Sequence, residues 1–192
     1  SSAASDVYKR QIINISIGYD HSITYPIISA YSHFYIQLNI LHFDAHPDLY
    51  HSFENNPFSH ASPFAIIMEN NLVENLTQVG IRIMNTHQKD QAEKYNVQVI
   101  HMAQFDSTMQ FDFDGPGYIS IDLDALDPTF IPSISHPEPG RLSTRDILNT
   151  LSKINGEVIG GDIVEYNPEK YFQNTTAITA SNILKELMGK MI

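Results

Sequence analysis

The sequence predicts a single α/β domain of three layers, in which helices cover both faces of a mainly parallel sheet. Apolar, β-branched runs alternate along the chain with amphipathic helical segments, and the connections between them are short. This alternation is typical of parallel sheets, because two parallel strands must be joined by a crossover that is usually a helix. The 192 residues and the apolar share of 42% fit one domain with a sizeable core.

The individual elements follow from hydrophobic period and from capping residues. The predicted strands are apolar runs at residues 12–17, 38–43, 76–81, 97–100, 117–122 and 157–165. The predicted helices have apolar residues three or four positions apart and cover residues 23–35, 61–70, 88–95, 143–153 and 175–188. Ser22 is expected to cap the first helix, and Ser143 with Asp146 resembles a capping box at the start of the fourth.

Composition and charge exclude several classes of protein. The chain has no cysteine, which excludes disulfides, a thiolate nucleophile and a thiolate metal site. No apolar run approaches the roughly 20 residues that span a bilayer, and no signal-peptide pattern opens the chain, so we expect a cytoplasmic protein without a membrane partner. The formal charge of −11 disfavours nucleic acid, whose phosphates need clustered Lys and Arg, and favours a cationic substrate.

The start of the chain reads differently from the rest. Residues 1–11 are small and polar and show no hydrophobic period, and an apolar strand follows them abruptly. We expect these residues to be a non-native or disordered lead-in. The remaining residues, 12–192, are expected to form one domain.

Acids and histidines follow four of the predicted strands. Ligands bind at the carboxyl ends of strands in open parallel sheets, so these side chains are expected to meet at one edge. They are Asp20 and His21, then Asp44, His46 and Asp48, then Asp122 and Asp124, and finally Asp162 and Glu165. The spacing of two within the Asp44 and Asp122 groups places their members on one side of an extended chain.

A cluster of this composition favours a pair of divalent metal ions. Four carboxylates packed together would repel one another unless they were protonated or bound to metal. Oxygen ligands with one or two imidazoles suit hard or borderline ions, and two such ions can activate a shared water. An isolated Asp-x-Asp is usually a turn or a helix cap, but several such motifs at neighbouring strand ends argue against that simpler interpretation. His42 lies within a strand and is expected to pack or to form a hydrogen bond.

Three motifs resemble the signatures of the ureohydrolase family, which includes arginase and agmatinase. They are GYDHS at residues 18–22, DAHPD at residues 44–48 and SIDLDALDP at residues 120–128. The longer runs HFDAHPDLY, SHASPFAIIME, QVGIR, SHPEPGRLSTRDILN and DIVEYNP are most similar to the plant-arginase and agmatinase-like branch. The resemblance covers nearly everything from residue 12 onward, and it implies a manganese-dependent enzyme that hydrolyses a linear guanidino substrate, agmatine or arginine, to urea and an amine. It also implies a homo-oligomer, a trimer or a hexamer.

The resemblance assigns roles to individual residues. His21 and Asp48 would hold one Mn²⁺ ion, His46 and Asp124 the second, and Asp44 and Asp122 would bridge both. A hydroxide shared by the two ions would attack the guanidinium carbon, and Asp48 is counted among the catalytic residues as well as the ligands. Glu165 would bind the guanidinium, which suits the bidentate geometry of a carboxylate. His60 would carry a proton to the departing amine. Asp162 would either support the metal ligands from behind or bind the substrate.

The sequence departs from the family pattern at several points. Tyr19 and Arg141 stand where the family usually has glycine, and Asn85 falls where animal arginases place an acid for the substrate's α-amino group. Family members are also longer at the N-terminus, so we expect a truncated copy. Asp127 is expected to shape a turn rather than to bind metal.

Three alternatives remain at this point. A deacetylase-like amidohydrolase would share the fold, but Asp48 and Asp124 are ligands beyond those it is expected to have. A two-metal phosphatase should have Lys or Arg beside its site, and no basic cluster flanks these motifs. The third alternative is a fragment that binds metal without catalysis.

Overall fold

Helices and strands alternate along the chain in the computed structural model, which describes residues 13–137, 139–170 and 174–191. The strands are β1 (Asn14–Ile17), β2 (Asn39–Phe43), β3 (Asn75–Ile81), β4 (Gln98–His101), β5 (Phe111–Asp112), β6 (Gly117–Asp122), β7 (Ile154–Asn155) and β8 (Val158–Val164). The helices are α1 (Thr24–Tyr31), α2 (Pro63–Glu69), α3 (Thr86–Lys94), α4 (Thr144–Ser152) and α5 (Thr175–Gly189).

Six of the strands form one parallel sheet in the order β1-β8-β6-β2-β3-β4. From β2 the chain moves outward to β3 and β4, whereas β6, β8 and β1 lie on the other side of β2. The boundary between β2 and β6 is therefore a topological switch point, where open α/β sheets commonly form their binding crevice. The two short strands β5 and β7 pair separately from this sheet.

Two apolar cores lie on opposite faces of the sheet, which confirms the predicted three-layer α/β class. Ile40 of β2 packs in the core that contains α1, α2 and α3. Its neighbours Leu41 and Phe43 pack in the other core with α4 and α5. Successive side chains of a strand point to opposite faces, so a strand buried on both faces needs the continuous apolar run that residues 38–43 show.

The ends of three helices show how local hydrogen bonding sets their boundaries. Asp20, rather than the predicted Ser22, caps the turn after β1, because its carboxylate accepts from the Ser22 N–H at 2.9 Å. A 3₁₀ turn at His21–Ile23 precedes α1, which ends at Tyr31 instead of residue 35. Asn85 and Gln88 form a capping box that starts α3 two residues earlier than predicted. The capping box of Ser143 with Asp146 is confirmed at the start of α4.

The predicted lead-in at residues 1–11 lies outside the described residues, which begin at Ile13. The domain boundary at residue 12 therefore stays a prediction. In the described part of the chain, no helix combines the length and the apolar character needed to cross a membrane.

Candidate metal centre

The six predicted metal ligands meet at the carboxyl edge of the sheet, beside the switch point. They come from three segments that follow β1, β2 and β6. His21 lies in the 3₁₀ turn after β1, Asp44, His46 and Asp48 lie in the loop after β2, and Asp122 and Asp124 lie at the end of β6. The sheet order brings these segments together although they are far apart in the sequence.

One half of the cluster is built around His21. Its Nδ1 atom lies 3.1 Å from an oxygen of Asp48, 3.3 Å from one of Asp122 and 3.4 Å from one of Asp44. The same nitrogen is buried and has no hydrogen-bond partner among the described residues. The nitrogen and the three carboxylates together are donor atoms that suit a divalent cation. Within the described part of the chain, the nitrogen has no hydrogen bond to satisfy it, as a buried polar atom ordinarily would.

The other half is built around His46. Its Nδ1 atom lies 3.0 Å from Asp124 Oδ2 and 3.4 Å from Asp44 Oδ1. Asp44 therefore presents Oδ2 to His21 and Oδ1 to His46, which is the arrangement of a bridging carboxylate. Asp122 Oδ2 faces His21, while its Oδ1 accepts from the Asp124 N–H at 2.6 Å. In each half the ligand atoms lie within 4.8 Å of one another.

The histidines take up protons to balance the carboxylates. Burial opposes protonation of both His21 and His46, but their acidic neighbours prevail. Asp122, Asp44 and Asp48 raise the pKa of His21 above its ordinary value, and Asp124 and Asp44 raise the pKa of His46 to about 12. Burial would raise the pKa of Asp44, yet the imidazoles of His21, His42 and His46 beside its carboxylate hold it well below its ordinary value.

The pKa values of the remaining acids of the site are raised. Burial, followed by the charge of Asp44, raises the pKa of Asp48 to about 6. Burial and neighbouring carboxylates also raise the pKa of Asp122 and of Asp124, and burial raises that of Glu165 to about 7. Bound protons thus balance part of the negative charge of these carboxylates, as divalent ions would do. The residues therefore fit a two-ion centre in their charge as well as in the type of donor atom.

Binding of Mn²⁺ should release protons, and its apparent affinity should fall as the pH is lowered through about 6. Below that pH Asp48 holds a proton that the ion must displace, and His46 must lose its own proton to act as a ligand. Calorimetric titration of Mn²⁺ in buffers of different ionisation enthalpy measures the protons released. Equal affinity on both sides of that pH, with no proton release, would contradict this expectation.

A row of buried polar side chains crosses the sheet beneath the ligands. Gln78, His42, Ser120 and Asp162 are register partners on β3, β2, β6 and β8. The Gln78 amide nitrogen lies 3.1 Å from His42 Nδ1, and His42 Nε2 donates to Asp44 Oδ2 at 3.0 Å. His42 also packs on the ring of Phe64, with 4.0 Å between ring centroids. His42 thus packs and forms hydrogen bonds, as its position within a strand predicts, and it orients the Asp44 carboxylate.

Asp162 is fully buried and is not among the residues that line the cavity over the cluster. Its oxygens accept hydrogen bonds from the hydroxyls of Thr24 (2.8 Å), Tyr118 (2.9 Å) and Ser120 (2.6 Å). Ser120 Oγ lies 2.9 Å from His21 Nε2. Asp162 therefore reaches the site through Ser120, which fixes the ring that carries the candidate ligand atom. Its role in the site stays a prediction.

A cavity of about 200 Å³ opens over the cluster and contains the two predicted substrate-side residues. Glu165 and His60 both line it, together with His46, Asp48, Asp122 and Asp124. Sequence reasoning did not single out the other lining residues, which are Tyr50, Phe53, Ala61, Ile83, Gln88 and His136. Most of them lie in loops, where no hydrophobic period marks an inward-facing side chain.

Three further residues singled out in the sequence, Tyr19, Asn85 and Asp127, have roles that their local contacts explain. The Tyr19 side chain is 60% exposed, so it does not crowd His21, and its carbonyl accepts from the Glu165 N–H at 3.0 Å. Asn85 caps α3 and donates to the Tyr50 hydroxyl at 2.6 Å. Asp127 shapes the predicted turn, since its carboxylate accepts from the N–H groups of Thr129 and Gly140.

Comparison with known proteins identifies the relationship. The sequence model of the arginase family matches residues 1–189. The chain belongs to the arginase family. The mitochondrial arginase of Medicago truncatula is 45% identical over 184 residues, which are 91% of this chain and 54% of that protein. An N(1)-aminopropylagmatine ureohydrolase of Thermus thermophilus is 34% identical over 183 residues, 91% of this chain and 61% of its own length.

The fold of this arginase-family chain agrees with that relationship. The solved arginase from Medicago truncatula superimposes with a TM-score of 0.87 and 43% identity, covering 92% of this chain and 59% of that structure. This chain spans about half the length of the Medicago relative.

Proposed function

We propose that this chain is a manganese-dependent ureohydrolase that hydrolyses a linear guanidino substrate, agmatine or arginine, to urea and an amine. One observation carries the proposal: Glu165 and His60 line the same cavity as four of the six candidate metal ligands. A carboxylate that can bind a planar cation and an imidazole that can transfer a proton therefore share a small space with the metal centre. The relatives named arginase and aminopropylagmatine ureohydrolase support the same reaction class.

The proposed metal centre divides between two ions. His21 and Asp48 belong to one, His46 and Asp124 to the other, and Asp44 and Asp122 are assigned to both. When bound, the two ions supply a water made nucleophilic near neutral pH. Mn²⁺ is the proposed ion, because carboxylates with one imidazole per ion suit it and the centre has no sulfur ligand.

Glu165 orients the substrate. Burial raises its pKa to about 7, so the approach of a guanidinium would restore the charged carboxylate. Its backbone has a φ of 64°, a left-handed conformation that turns the chain sharply after β8. The turn places Glu165 along the cavity and leaves Asp162, three residues earlier, in the core.

His60 is proposed to give a proton to the departing amine, and Asp48 would help to hold one of the metal ions. The ring of Phe53 packs edge-on against His60, with 5.7 Å between ring centroids. This contact restricts the imidazole at the cavity wall, where a general acid must be in place before the C–N bond breaks.

The charge of the substrate and the oligomeric state are also part of the proposal. A small cationic substrate fits the net charge of −11, and a homo-oligomer, a trimer or a hexamer, is the proposed assembly. The Medicago relative is named a mitochondrial protein, whereas the present sequence led us to expect the cytoplasm; that localisation stays a prediction.

Urea release from arginine and from agmatine, measured separately on Mn²⁺-loaded protein, tests the proposed function. We expect urea from at least one of the two, and none after the metal has been removed by a chelator. The substrate that is hydrolysed fixes the specificity. Two bound ions without urea from either substrate would refute catalysis by this chain and leave a metal-binding fragment.

A further inference from the structure

Gln78 of β3 is a buried polar side chain whose carbonyl oxygen is unsatisfied. The residue is fully buried, and its register partner on β2 is His42. Its Oε1 atom has no hydrogen-bond partner among the residues that the structure describes. A buried acceptor without a hydrogen bond costs free energy that an apolar side chain of similar length would not cost. The contribution of this glutamine must therefore come from its amide nitrogen.

The contacts of that nitrogen fix the orientation of the amide. Nε2 of Gln78 donates to the backbone carbonyl of Pro47 at 2.7 Å and lies 3.1 Å from His42 Nδ1. A carbonyl oxygen only accepts hydrogen bonds, so the group that faces Pro47 must be the NH₂ group and not Oε1. Pro47 belongs to the loop at residues 44–48, here called the ligand loop, which supplies three of the six candidate metal ligands.

The orientation of the amide in turn fixes the tautomer of His42. An NH₂ group has no lone pair to offer, so Nδ1 of His42 must accept its hydrogen bond and carries no proton. The ring proton is then on Nε2, which donates to Asp44 Oδ2 at 3.0 Å. A chain of hydrogen bonds with a single direction therefore runs from the NH₂ group of Gln78 to the carboxylate of Asp44.

The same NH₂ group also holds the other end of the ligand loop. The Pro47 carbonyl belongs to the peptide group that leads into Asp48. Asp48 has a φ of 49°, a left-handed conformation that persists only where its surroundings hold it. The hydrogen bond from Gln78 fixes the plane of that peptide group. One side chain is thus connected to the first and to the last residue of the ligand loop.

We propose that Gln78 is a positioning residue of the metal centre, which orients an oxygen of Asp44 through His42 and holds the backbone that enters Asp48. Gln78 is not among the residues that line the cavity, so it acts on the centre through these neighbours. Partners of this kind orient a metal ligand before the ion arrives, and their loss lowers the affinity for metal. The inference rests on the metal centre of the proposed function but not on its hydrolytic activity.

The tautomer of His42 can be measured in the unchanged, metal-stripped chain. ¹⁵N NMR spectra distinguish protonated from unprotonated imidazole nitrogens, and comparison with the His42→Phe variant assigns the resonances of His42. We expect a proton on Nε2 and none on Nδ1. A proton on Nδ1 would overturn the proposed chain of hydrogen bonds, because Gln78 could not donate to that nitrogen. This result does not depend on how well any Gln78 variant folds.

Calorimetric titration with Mn²⁺ measures the effect of Gln78 on the centre. Gln78→Met nearly keeps the length of the side chain and removes both hydrogen bonds, so it should weaken Mn²⁺ binding roughly 10- to 100-fold. Gln91→Met is the matched control, because Gln91 is a buried glutamine of α3 that does not line the cavity. The control should leave the affinity unchanged.

A double-mutant cycle shows whether Gln78 acts through His42. His42→Phe removes the branch to Asp44 and leaves the hydrogen bond from Gln78 to Pro47 in place. The double variant with Gln78→Met should therefore lose less affinity for Mn²⁺ than the product of the two separate losses. A loss equal to that product would mean that Gln78 does not act through His42 and would overturn this part of the proposal.

The outcomes also separate this inference from the proposed function. A folded Gln78→Met variant that binds Mn²⁺ as tightly as the unchanged chain would overturn the positioning role and leave the metal centre intact. Absence of any Mn²⁺ binding by the unchanged chain would instead refute the metal centre, and the imidazole resonances of His42 would still show whether the chain of hydrogen bonds is present.

Discussion

Replacement of Asp44 by Asn should abolish tight binding of Mn²⁺ at both positions and reduce urea formation by at least about 1,000-fold, which corresponds to about 4 kcal/mol of activation free energy. Asp44 presents one oxygen to each half of the centre, 3.4 Å from His21 Nδ1 and 3.4 Å from His46 Nδ1. The amide of Asn has nearly the same size as the carboxylate but no charge, and its NH₂ group is a poor metal ligand. A single substitution would therefore take a ligand from one position and negative charge from both.

Metal content after dialysis against Mn²⁺, together with initial rates of urea release, measures this effect. Asp90→Asn is the matched control, because Asp90 is an exposed residue of α3 outside the cavity. It should keep its metal and its rate. A variant at Asp44 that folds and still binds two ions as tightly as the unchanged chain would refute the bridging role.

Replacement of Glu165 by Gln should lower kcat/KM for the guanidino substrate by roughly 10²- to 10³-fold, because the loss of a charge from a buried pair costs about 2–5 kcal/mol. Glu165 lines the cavity, and none of the ion pairs that assemble the metal cluster includes it. Mn²⁺ binding should therefore be almost unchanged. This separation of substrate binding from metal binding distinguishes Glu165 from Asp44.

Steady-state kinetics with arginine and agmatine, run alongside a Mn²⁺ titration, test the role of Glu165. Glu169→Gln is the matched control, since Glu169 is an exposed acid four residues later in the same loop region. Unchanged kcat/KM in the Glu165 variant would remove it from the substrate site, and the recognition of a guanidinium would then need another acid.

Much of the fold could be predicted from the sequence because its strands are continuous apolar runs with acids directly after them. The run at residues 38–43 predicts a strand buried on both faces, and Asp44 follows it at the sheet edge. The positions of His21, Asp48 and Asp122 just after their strands were therefore enough to place them together.

The features that the sequence did not reveal depend on contacts between segments that are distant in it. Asp162 resembles Glu165 as an acid near a strand end, but its hydroxyl partners come from α1 and β6, and only strand register shows that they surround it. His136 reaches the cavity from a loop whose path has no period. β5 and β7 have two residues each, too few for a period of two to be seen.

The row of buried polar side chains beneath the candidate metal centre also indicates at which stage of folding the centre can form. Ser120 meets His21 across 99 residues of sequence, and Asp162 meets Thr24 across 138. Contacts this distant form only after the parallel central strands have paired, which is a slow event in folding. The candidate ligands would not converge earlier, so we expect a divalent ion to stabilise the finished sheet rather than to nucleate it. Mn²⁺ uptake during refolding should consequently be a late step that reports a completed core.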